Sequence, residues 1–305
     1  MKGKDLLSIG DLSPDEVLGI INRAVLMKKR KAMSAVLAGK TLALLFEKPS
    51  LRTRVSFDVA MHQLGGHSVY LSQAEVGLGS RESIADVART LSRYVDVIAA
   101  RTFAHATVVS LAKYADVPVI NALSDGEHPC QALGDLVTIY EKKGKLRGLT
   151  VAYIGDGNNV ASSLALACAS VGVNFRIASP GGYGLSDKIM RLGRRFAQQS
   201  GAKVAFLKEP EEAVKGADVV YTDVWTSMGQ ESEAQKRRKA FAGYQVDARV
   251  LKLAKKDAIF MHPLPAHHGE EVASNIIDSK QSVVFDQAEN RLHAQKAILA
   301  EIMGR

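Results

Sequence analysis

The sequence predicts an α/β protein with two doubly wound domains, each built on a parallel sheet. Short apolar runs rich in β-branched residues alternate with helix-length amphipathic stretches along the chain. The alternation falls into two blocks, and each block is too short for a closed eight-stranded barrel. The chain has 305 residues. Since a typical domain has about 150 residues, this length also indicates two domains.

The strand candidates are short, mostly apolar runs, as expected for strands that are buried on both faces. The first block contains four of them, at residues 41–45, 67–71, 95–100 and 117–120. The second block contains six, at residues 150–154, 173–178, 203–207, 218–222, 258–261 and 282–285.

The boundary between the domains is predicted near residue 144. A helix candidate runs from Pro129 to Lys142, and a basic, glycine-containing stretch separates it from the next strand. The first domain is therefore predicted to span residues 1–144 and the second residues 145–286. Residues 287–305 have the apolar spacing of a helix. Because the second sheet is complete before them, we expect this helix to pack back on the first domain.

The composition excludes several classes of protein. Hydrophobic residues make up 47% of the chain and charged residues 24%, as in ordinary globular proteins. No run approaches the ~18 apolar residues of a membrane span, and the amino end is charged where a secretory signal is apolar. We therefore expect a cytoplasmic protein with no membrane partner. Two cysteines, Cys130 and Cys168, cannot form a disulfide framework or a four-ligand zinc site, so no metal is expected.

The formal net charge of +8 could serve an acidic ligand or a nucleic acid. The two dense basic clusters, Lys28–Lys31 and Lys236–Lys239, are only four residues long and lie in helix-like segments. Neither has the interleaved aromatic residues of a nucleic-acid groove. This pattern indicates solvated helix faces, and no nucleic-acid partner is expected.

Polar residues follow the predicted strands, at the edge where open parallel sheets bind ligands. After the first strand comes FEKPSLRTR, residues 46–54, in which Ser50 can cap a helix that opens with Arg52 and Thr53. Backbone N–H groups, the helix dipole, hydroxyls and guanidinium groups together favour a phosphate. The alternative is an ordinary serine cap beside surface arginines.

Further candidates follow the third and fourth strands. Arg101 ends the third strand, and DGEHPCQ, residues 125–131, follows the fourth. Because His128 precedes Pro129, we expect His128 and Gln131 near the amino end of a helix. A purely structural histidine is the alternative.

The GDGNN turn at residues 155–159 resembles a dinucleotide-binding fingerprint only in part. Val160 occupies the third glycine position, and the next strand ends at residues 178–180 without an acidic residue to bind a ribose. The chain also has no GxxxxGK[ST] loop. No nucleotide or other cofactor is therefore expected.

Four segments, in this order and spacing, resemble the motifs of the aspartate/ornithine transcarbamoylase family: FEKPSLRTR, HPCQ, DVWTSMGQE and HPLPA. The resemblance covers essentially the whole chain. The SxRT and HPxQ elements are shared across the family, and DxxxSMG, at residues 223–229, is associated with ornithine. The resemblance implies two α/β domains with the active site in the cleft between them. It also implies a cofactor-independent transfer of a carbamoyl group from carbamoyl phosphate to the δ-amine of L-ornithine, by a homotrimer that can associate further.

The resemblance also implies the role of each site residue. The first domain would bind carbamoyl phosphate and the second ornithine, and Arg101, His128 and Asp223 would be catalytic. The residues implied to contact carbamoyl phosphate are Ser50, Leu51, Arg52, Thr53, Arg101, His128, Gln131, Pro263, Leu264 and Arg291. Those implied to bind ornithine are Asn159, Asp223, Ser227 and Met228.

Two positions depart from the family pattern. Pro263 stands where members that use ornithine usually have cysteine, and Gly77 stands where a glutamine usually faces carbamoyl phosphate. These departures keep two alternatives open. One is a transcarbamoylase with another amine acceptor, such as putrescine or an acylated ornithine. The other is a non-catalytic relative that only binds carbamoyl phosphate.

Overall fold

The computed structural model describes residues 1–30 and 35–304, so Lys31 of the first basic cluster lies outside the described residues. The chain forms two compact α/β units, Met1–Val137 with Glu289–Arg305 (unit 1) and Thr138–Ala288 (unit 2). The predicted fold class is confirmed. The chain passes between the units inside α6 (Pro129–Lys143) and α12 (Val284–Met303). The predicted boundaries at 144 and 286 differ from these divisions, because the sequence marks where a helix ends but not where a continuous helix changes its packing partners.

Unit 1 is built on a four-stranded parallel sheet with the order β2-β1-β3-β4. Its strands are β1 (Thr41–Phe46), β2 (His67–Ser72), β3 (Val97–Arg101) and β4 (Val119–Leu123). Its other helices are α1 (Pro14–Arg30), α2 (Leu51–Gln63), α3 (Gln73–Val76), α4 (Ile84–Leu91) and α5 (His105–Tyr114). In this order β2 lies on one side of β1 and β3 on the other, so the direction in which strands are added reverses at β1. This reversal creates a crevice at the carboxyl ends of β1 and β3, where open sheets bind ligands.

Unit 2 repeats this arrangement with five parallel strands in the order β7-β6-β5-β8-β9. Its strands are β5 (Thr150–Ile154), β6 (Asn174–Ala178), β7 (Val204–Leu207), β8 (Val219–Thr222) and β9 (Ile259–Met261). Its helices are α7 (Asn159–Ser170), α8 (Asp187–Ser200), α9 (Pro210–Val214), α10 (Ala234–Ala240) and α11 (Ala248–Leu251). The reversal of strand order lies here between β5 and β8.

The predicted strand at residues 282–285 is wrong. Ser282 forms an isolated bridge with Phe260, and the Val283 N–H donates to the Phe260 carbonyl at 3.0 Å. The chain then turns directly into α12, which begins at Val284, three residues before the predicted helix. Val283 and Val284 have strand propensity, but Val284 reaches the apolar core of unit 2 from the first turn of a helix.

The second basic cluster is not a uniformly solvated helix face. Arg237 is only 6% exposed and its Nη1 lies 2.9 Å from Asp156 Oδ2, whereas Lys236, Arg238 and Lys239 are exposed. The prediction is therefore wrong for Arg237. Within the described part of the chain, none of the helices combines the length and apolar character needed to cross a membrane.

Candidate active site

The amino end of α2 lies directly after β1, at the crevice of unit 1. The Ser50 hydroxyl accepts a hydrogen bond from the Thr53 N–H at 3.2 Å and so caps the helix as predicted. Leu51 is 74% exposed, whereas Thr53 is completely buried. Because the first N–H groups of a helix lack intrahelical acceptors and carry the positive end of the helix dipole, this turn favours an anion.

Helix α12 brings Arg291 to this turn. Arg291 Nη2 donates to the Thr53 hydroxyl at 2.8 Å, and the side chain is almost completely buried. Gly134 in α6 relieves crowding at this approach, because a Cβ there would lie 3.3 Å from Arg291 Cα, a tight contact. Nothing in the sequence marks this glycine as important, because Arg291, which it faces, lies far along the chain.

Arg101, the last residue of β3, completes a cluster of three guanidinium groups. Burial and the charges of Arg291 and Arg52 together lower the pKa of Arg101 to about 10. Its Nε finds no hydrogen-bond partner among the described residues. Buried cations are stable when an anion is near them, so the crevice is suited to a ligand that carries several negative charges.

His128 lies beside this cluster, at the start of α6. Burial keeps its pKa well below the ordinary value, and Arg291 and Arg101 act in the same direction. The ring is therefore neutral at pH 7 and can donate one N–H to a polarised oxygen. The thiol of Cys130, two residues on, is inert because burial raises its pKa to about 12.

A contact that the sequence did not reveal anchors the segment before His128. Glu127 Oε2 accepts the Ile9 N–H at 3.0 Å, and the Ser8 hydroxyl donates to Glu127 Oε1. Because Glu127 adjoins His128, the amino-terminal segment restrains the backbone that carries the histidine.

Gln131 is buried in the first turn of α6. Its Nε2 donates to Asp135 Oδ1 at 2.9 Å. The structure thus brings the predicted residues Thr53, Arg101, His128 and Arg291 together, with Gln131 on the helix that follows His128.

In unit 2, Asp223 lies directly after β8 and Asn158 just before α7. Asn158 Nδ2 donates to Asp223 Oδ2 at 2.8 Å, and its Oδ1 caps α7 by accepting the Val160 N–H at 3.0 Å. The predicted residue, Asn159, accepts the same N–H at 2.9 Å. Asn158 was missed, although an asparagine before a helix is a recognisable cap. Burial raises the pKa of Asp223, which His262 and the Asn158 hydrogen bond oppose.

The segment after Asp223 is held by Arg237, whose Nη1 donates to the Trp225 carbonyl at 2.9 Å. Further on, the Ser227 N–H donates to Gln230 Oε1 at 3.1 Å, and the Met228 side chain is exposed. The segment therefore presents Ser227 and Met228 from a fixed turn.

Pro263 and Leu264 follow β9. Leu264 has a φ of 57°, in the left-handed region that non-glycine residues avoid, and its N–H donates to His262 Nδ1 at 2.9 Å. His262 Nε2 lies 3.1 Å from Glu271 Oε1, and both side chains are fully buried. Because Nδ1 accepts, the proton of His262 must be on Nε2, where it is donated to Glu271. Glu271 is a third residue, after Glu127 and Asn158, whose contact with the site the sequence did not indicate.

Gly77 ends α3 with a φ of 64°, and a Cβ at this position would lie 2.6 Å from Arg81 Cβ. The local backbone is therefore built for glycine, and the glutamine usual in the family would require it to rearrange.

Among the described residues, His267, Glu270 and Glu271 bring potential metal ligands within 4.8 Å of one another. Glu270, however, is paired with Arg238 at 2.8 Å. Glu271 Oε1 accepts hydrogen bonds from His262 and from the His267 N–H. Arg238 therefore neutralises Glu270, whereas Glu271 Oε2 has no hydrogen-bond partner among the described residues.

Comparison with known proteins agrees with this geometry. The family model for the carbamoyl-P binding domain of aspartate/ornithine carbamoyltransferases matches residues 4–141, and the model for the Asp/Orn binding domain matches residues 147–302. An ornithine carbamoyltransferase of Pyrococcus abyssi is 53% identical over 307 residues, which cover 100% of this chain and 97% of the relative. The anabolic ornithine carbamoyltransferase of Pyrococcus furiosus is also 53% identical, over 100% of this chain and 98% of the relative.

The solved structure of ornithine carbamoyltransferase from Pyrococcus furiosus superposes with a TM-score of 0.96 and 53% identity. The match covers 99% of this chain and 97% of that structure. By its two family models, its full-length relatives and its fold, this chain belongs to the aspartate/ornithine carbamoyltransferase family.

Proposed function

We propose that this protein is an ornithine carbamoyltransferase, which transfers the carbamoyl group of carbamoyl phosphate to the δ-amine of L-ornithine and releases L-citrulline and phosphate. The full-length relatives support this activity and a place in arginine biosynthesis. The observation that carries the proposal is the buried cluster of Arg101, Arg291 and neutral His128 beside the amino end of α2.

The phosphate is bound at the first turn of α2. Ser50, Arg52, Thr53 and the backbone around Leu51 surround it, and Arg291 reaches it from its contact with Thr53. The helix dipole and the guanidinium groups attract the dianion before reaction and neutralise the charge that the leaving phosphate gains.

The carbamoyl carbonyl faces Arg101 and His128. When the amine attacks, the nitrogen lone pair forms the new C–N bond and the carbonyl π electrons move to oxygen. A charged guanidinium and a neutral imidazole N–H then stabilise this oxyanion. Collapse of the intermediate restores the carbonyl and breaks the bond to the phosphate oxygen, and the attacking nitrogen transfers one proton to the leaving phosphate. No step requires a cofactor. The carbamoyl NH₂ is bound by Gln131 and by the carbonyl of Leu264, in the turn that begins at Pro263.

Ornithine is bound by unit 2. Asp223 pairs with the α-ammonium, and Asn159, Ser227 and Met228 contact the amino-acid end. Burial raises the pKa of Asp223 and so disfavours its carboxylate, which the α-ammonium stabilises and Asn158 holds in place. An alkyl amine has a pKa of about 10.4, so the δ-amine must lose its proton before it attacks.

The test is a carbamoylation assay in which carbamoyl phosphate is offered with ornithine, putrescine, N-acetylornithine and aspartate in parallel. We expect ornithine to react with the highest kcat/KM. Putrescine has no α-carboxylate, and N-acetylornithine has no α-ammonium for Asp223, so preference for either would assign another acceptor. Binding of carbamoyl phosphate without turnover of any amine would identify a non-catalytic relative.

A cytoplasmic homotrimer is part of the proposal. Leu51 and Val55 expose apolar side chains on α2, and β2 is an edge strand of the unit 1 sheet that exposes Val69. Such a surface favours contact with another copy of the chain. Light scattering after size-exclusion chromatography should give three times the chain mass, and a monomer at micromolar concentration would contradict this part of the proposal.

A further inference from the structure

We propose that Asp135 is a positioning residue, which determines the end of the Gln131 amide that faces the carbamoyl group. The inference rests on the proposed function, because Gln131 is assigned there to the carbamoyl NH₂.

Both side chains lie on one face of α6, four residues apart. Gln131 is 1% exposed and Asp135 is completely buried. The Gln131 backbone is fixed by its own N–H, which donates to the His128 carbonyl at 3.0 Å. The orientation of the amide therefore depends on the contact between Gln131 Nε2 and Asp135 Oδ1, at 2.9 Å.

The chemistry of this contact selects one orientation. An amide has an acceptor end and a donor end, and rotation about its last bond exchanges them at low cost. A carboxylate only accepts hydrogen bonds, so Asp135 binds the NH₂ end of Gln131. The Oε1 atom remains available, and it receives no hydrogen bond within the described part of the chain.

The remaining acceptor matches the ligand. A carbamoyl NH₂ can only donate, so an outward NH₂ of Gln131 would leave two donors facing each other. The packing around the pair is tight, since Gly134 between the two residues lies against the Arg291 backbone. Asp135 thus allows Gln131 to recognise a carbamoyl group by its nitrogen rather than by its shape.

A purely structural role would have a different signature. Glutamine and aspartate four residues apart also stabilise a helix. Loss of that contribution would lower stability and would weaken all ligands of the crevice alike. Positioning of the amide instead changes the preference between an NH₂ and a methyl group of equal size.

The experiment compares two stable analogues that differ only in this group, phosphonoacetamide and acetonylphosphonate, with inorganic phosphate as a third ligand. Dissociation constants are measured by calorimetry for the full-length protein, for Asp135→Asn, and for the double variant Gln131→Glu/Asp135→Asn. In the single variant, the amide introduced at position 135 can donate to Gln131 Oε1 and turn the glutamine. In the double variant, the carboxylate at position 131 presents acceptors only. Asp96→Asn, which removes another hydrogen-bonded carboxylate of unit 1, is the matched control.

We expect the wild type and the Asp96 variant to prefer phosphonoacetamide by about three- to tenfold, the range for one neutral hydrogen bond. Asp135→Asn should lose this preference while its affinity for inorganic phosphate stays within about twofold, and the double variant should regain it. A preference that persists in Asp135→Asn overturns the inference, as does a parallel loss of affinity for all three ligands.

Two further results separate the inference from the proposed function. A wild type that forms citrulline, beside an Asp135→Asn variant with unchanged preference, refutes only the role of Asp135. A wild type that forms no citrulline and binds the two analogues equally refutes both. If Asp135→Asn does not fold, the Gln131 side-chain NH₂ protons of the wild type decide the question by NMR. They should exchange slowly and shift little with phosphonoacetamide, whereas a large shift would place the NH₂ end at the ligand and overturn the inference.

Discussion

Replacement of Arg237 by methionine should destabilise unit 2, and the loss of stability should grow with pH. Arg237 Nη1 donates to Asp156 Oδ2 and to the Trp225 carbonyl, both at 2.9 Å, and its Nε donates to Glu233 at 3.2 Å. Methionine keeps much of the apolar volume of the side chain but cannot make these contacts. The substitution thus leaves the buried Asp156 carboxyl without its cation.

The magnitude follows from the titration of Asp156. Burial raises its pKa from 3.8 to about 6, although Arg237 acts in the opposite direction, and Asp223 and Glu233 add to the rise. Because the pKa of Asp156 is higher in the folded state, its protonated carboxyl contributes fully to the free energy of unfolding below about pH 4. That contribution is lost as the pH rises through about 6. Without Arg237 the folded-state pKa rises further, and each additional unit costs about 1.4 kcal/mol above it. A rise of one unit therefore predicts a loss of stability that is about 1.4 kcal/mol larger at pH 8 than at pH 5, where the carboxyl stays mostly protonated in both folded proteins.

The chain contains a single tryptophan, Trp225, which lies beside this ion pair. Urea unfolding followed by its fluorescence at pH 5, 6, 7 and 8 therefore reports on unit 2. The control is Asp156→Asn/Arg237→Met, in which the titrating group is absent and the added pH dependence should disappear. A loss of stability that is equal at pH 5 and pH 8, or a double variant with the same slope as Arg237→Met, would refute the reasoning.

Four other substitutions test the site and the core. Arg52→Ala should mainly raise the KM for carbamoyl phosphate, whereas Arg101→Ala should lower kcat by about 10²- to 10³-fold. If steady-state kinetics give an unaltered kcat for Arg101→Ala, that residue has no role in the chemical step. Pro263→Cys should improve kcat/KM for ornithine by roughly three- to tenfold. Unchanged ornithine kinetics in a folded variant would show that the thiol is dispensable here. Neither amide atom of the fully buried Gln295 has a hydrogen-bond partner within the described residues. Gln295→Met should therefore raise the thermal midpoint, because it removes a desolvation cost of about 1–3 kcal/mol. A lower midpoint in calorimetry would contradict this.

The sequence predicted the strands well where the pattern is local. Nine of the predicted runs overlap observed strands, since buried parallel strands need apolar, β-branched residues wherever they occur. The tenth, at residues 282–285, satisfies the same rule but pairs with Phe260 through only one isolated bridge. The end of a sheet depends on which surfaces are already covered, and a local pattern does not contain that information.

The candidate site shows the same limit. Ser50 and Arg101 could be selected because polar residues after strands form ligand sites, whereas Asp223 was implied by the family resemblance. The residues that hold the site residues in place were harder to predict from the sequence. Asn158 and Asp135 had local signals, a helix cap and a spacing of four residues. Arg237 had none, because its partner Asp156 lies 81 residues away in the chain.

The division of the chain also has a consequence for the order of folding during synthesis. Unit 2 is continuous in sequence, whereas unit 1 needs residues from both ends. Translation supplies about 5–20 residues per second, so the segments around Ser50, Arg101 and His128 exist for several seconds before Arg291 is made. Until then the Thr53 hydroxyl lacks its guanidinium partner and Gly134 lies open. The nascent protein therefore carries an incomplete anion site throughout the synthesis of its second unit, and Arg291 completes the site only after the last residue of that unit has been made.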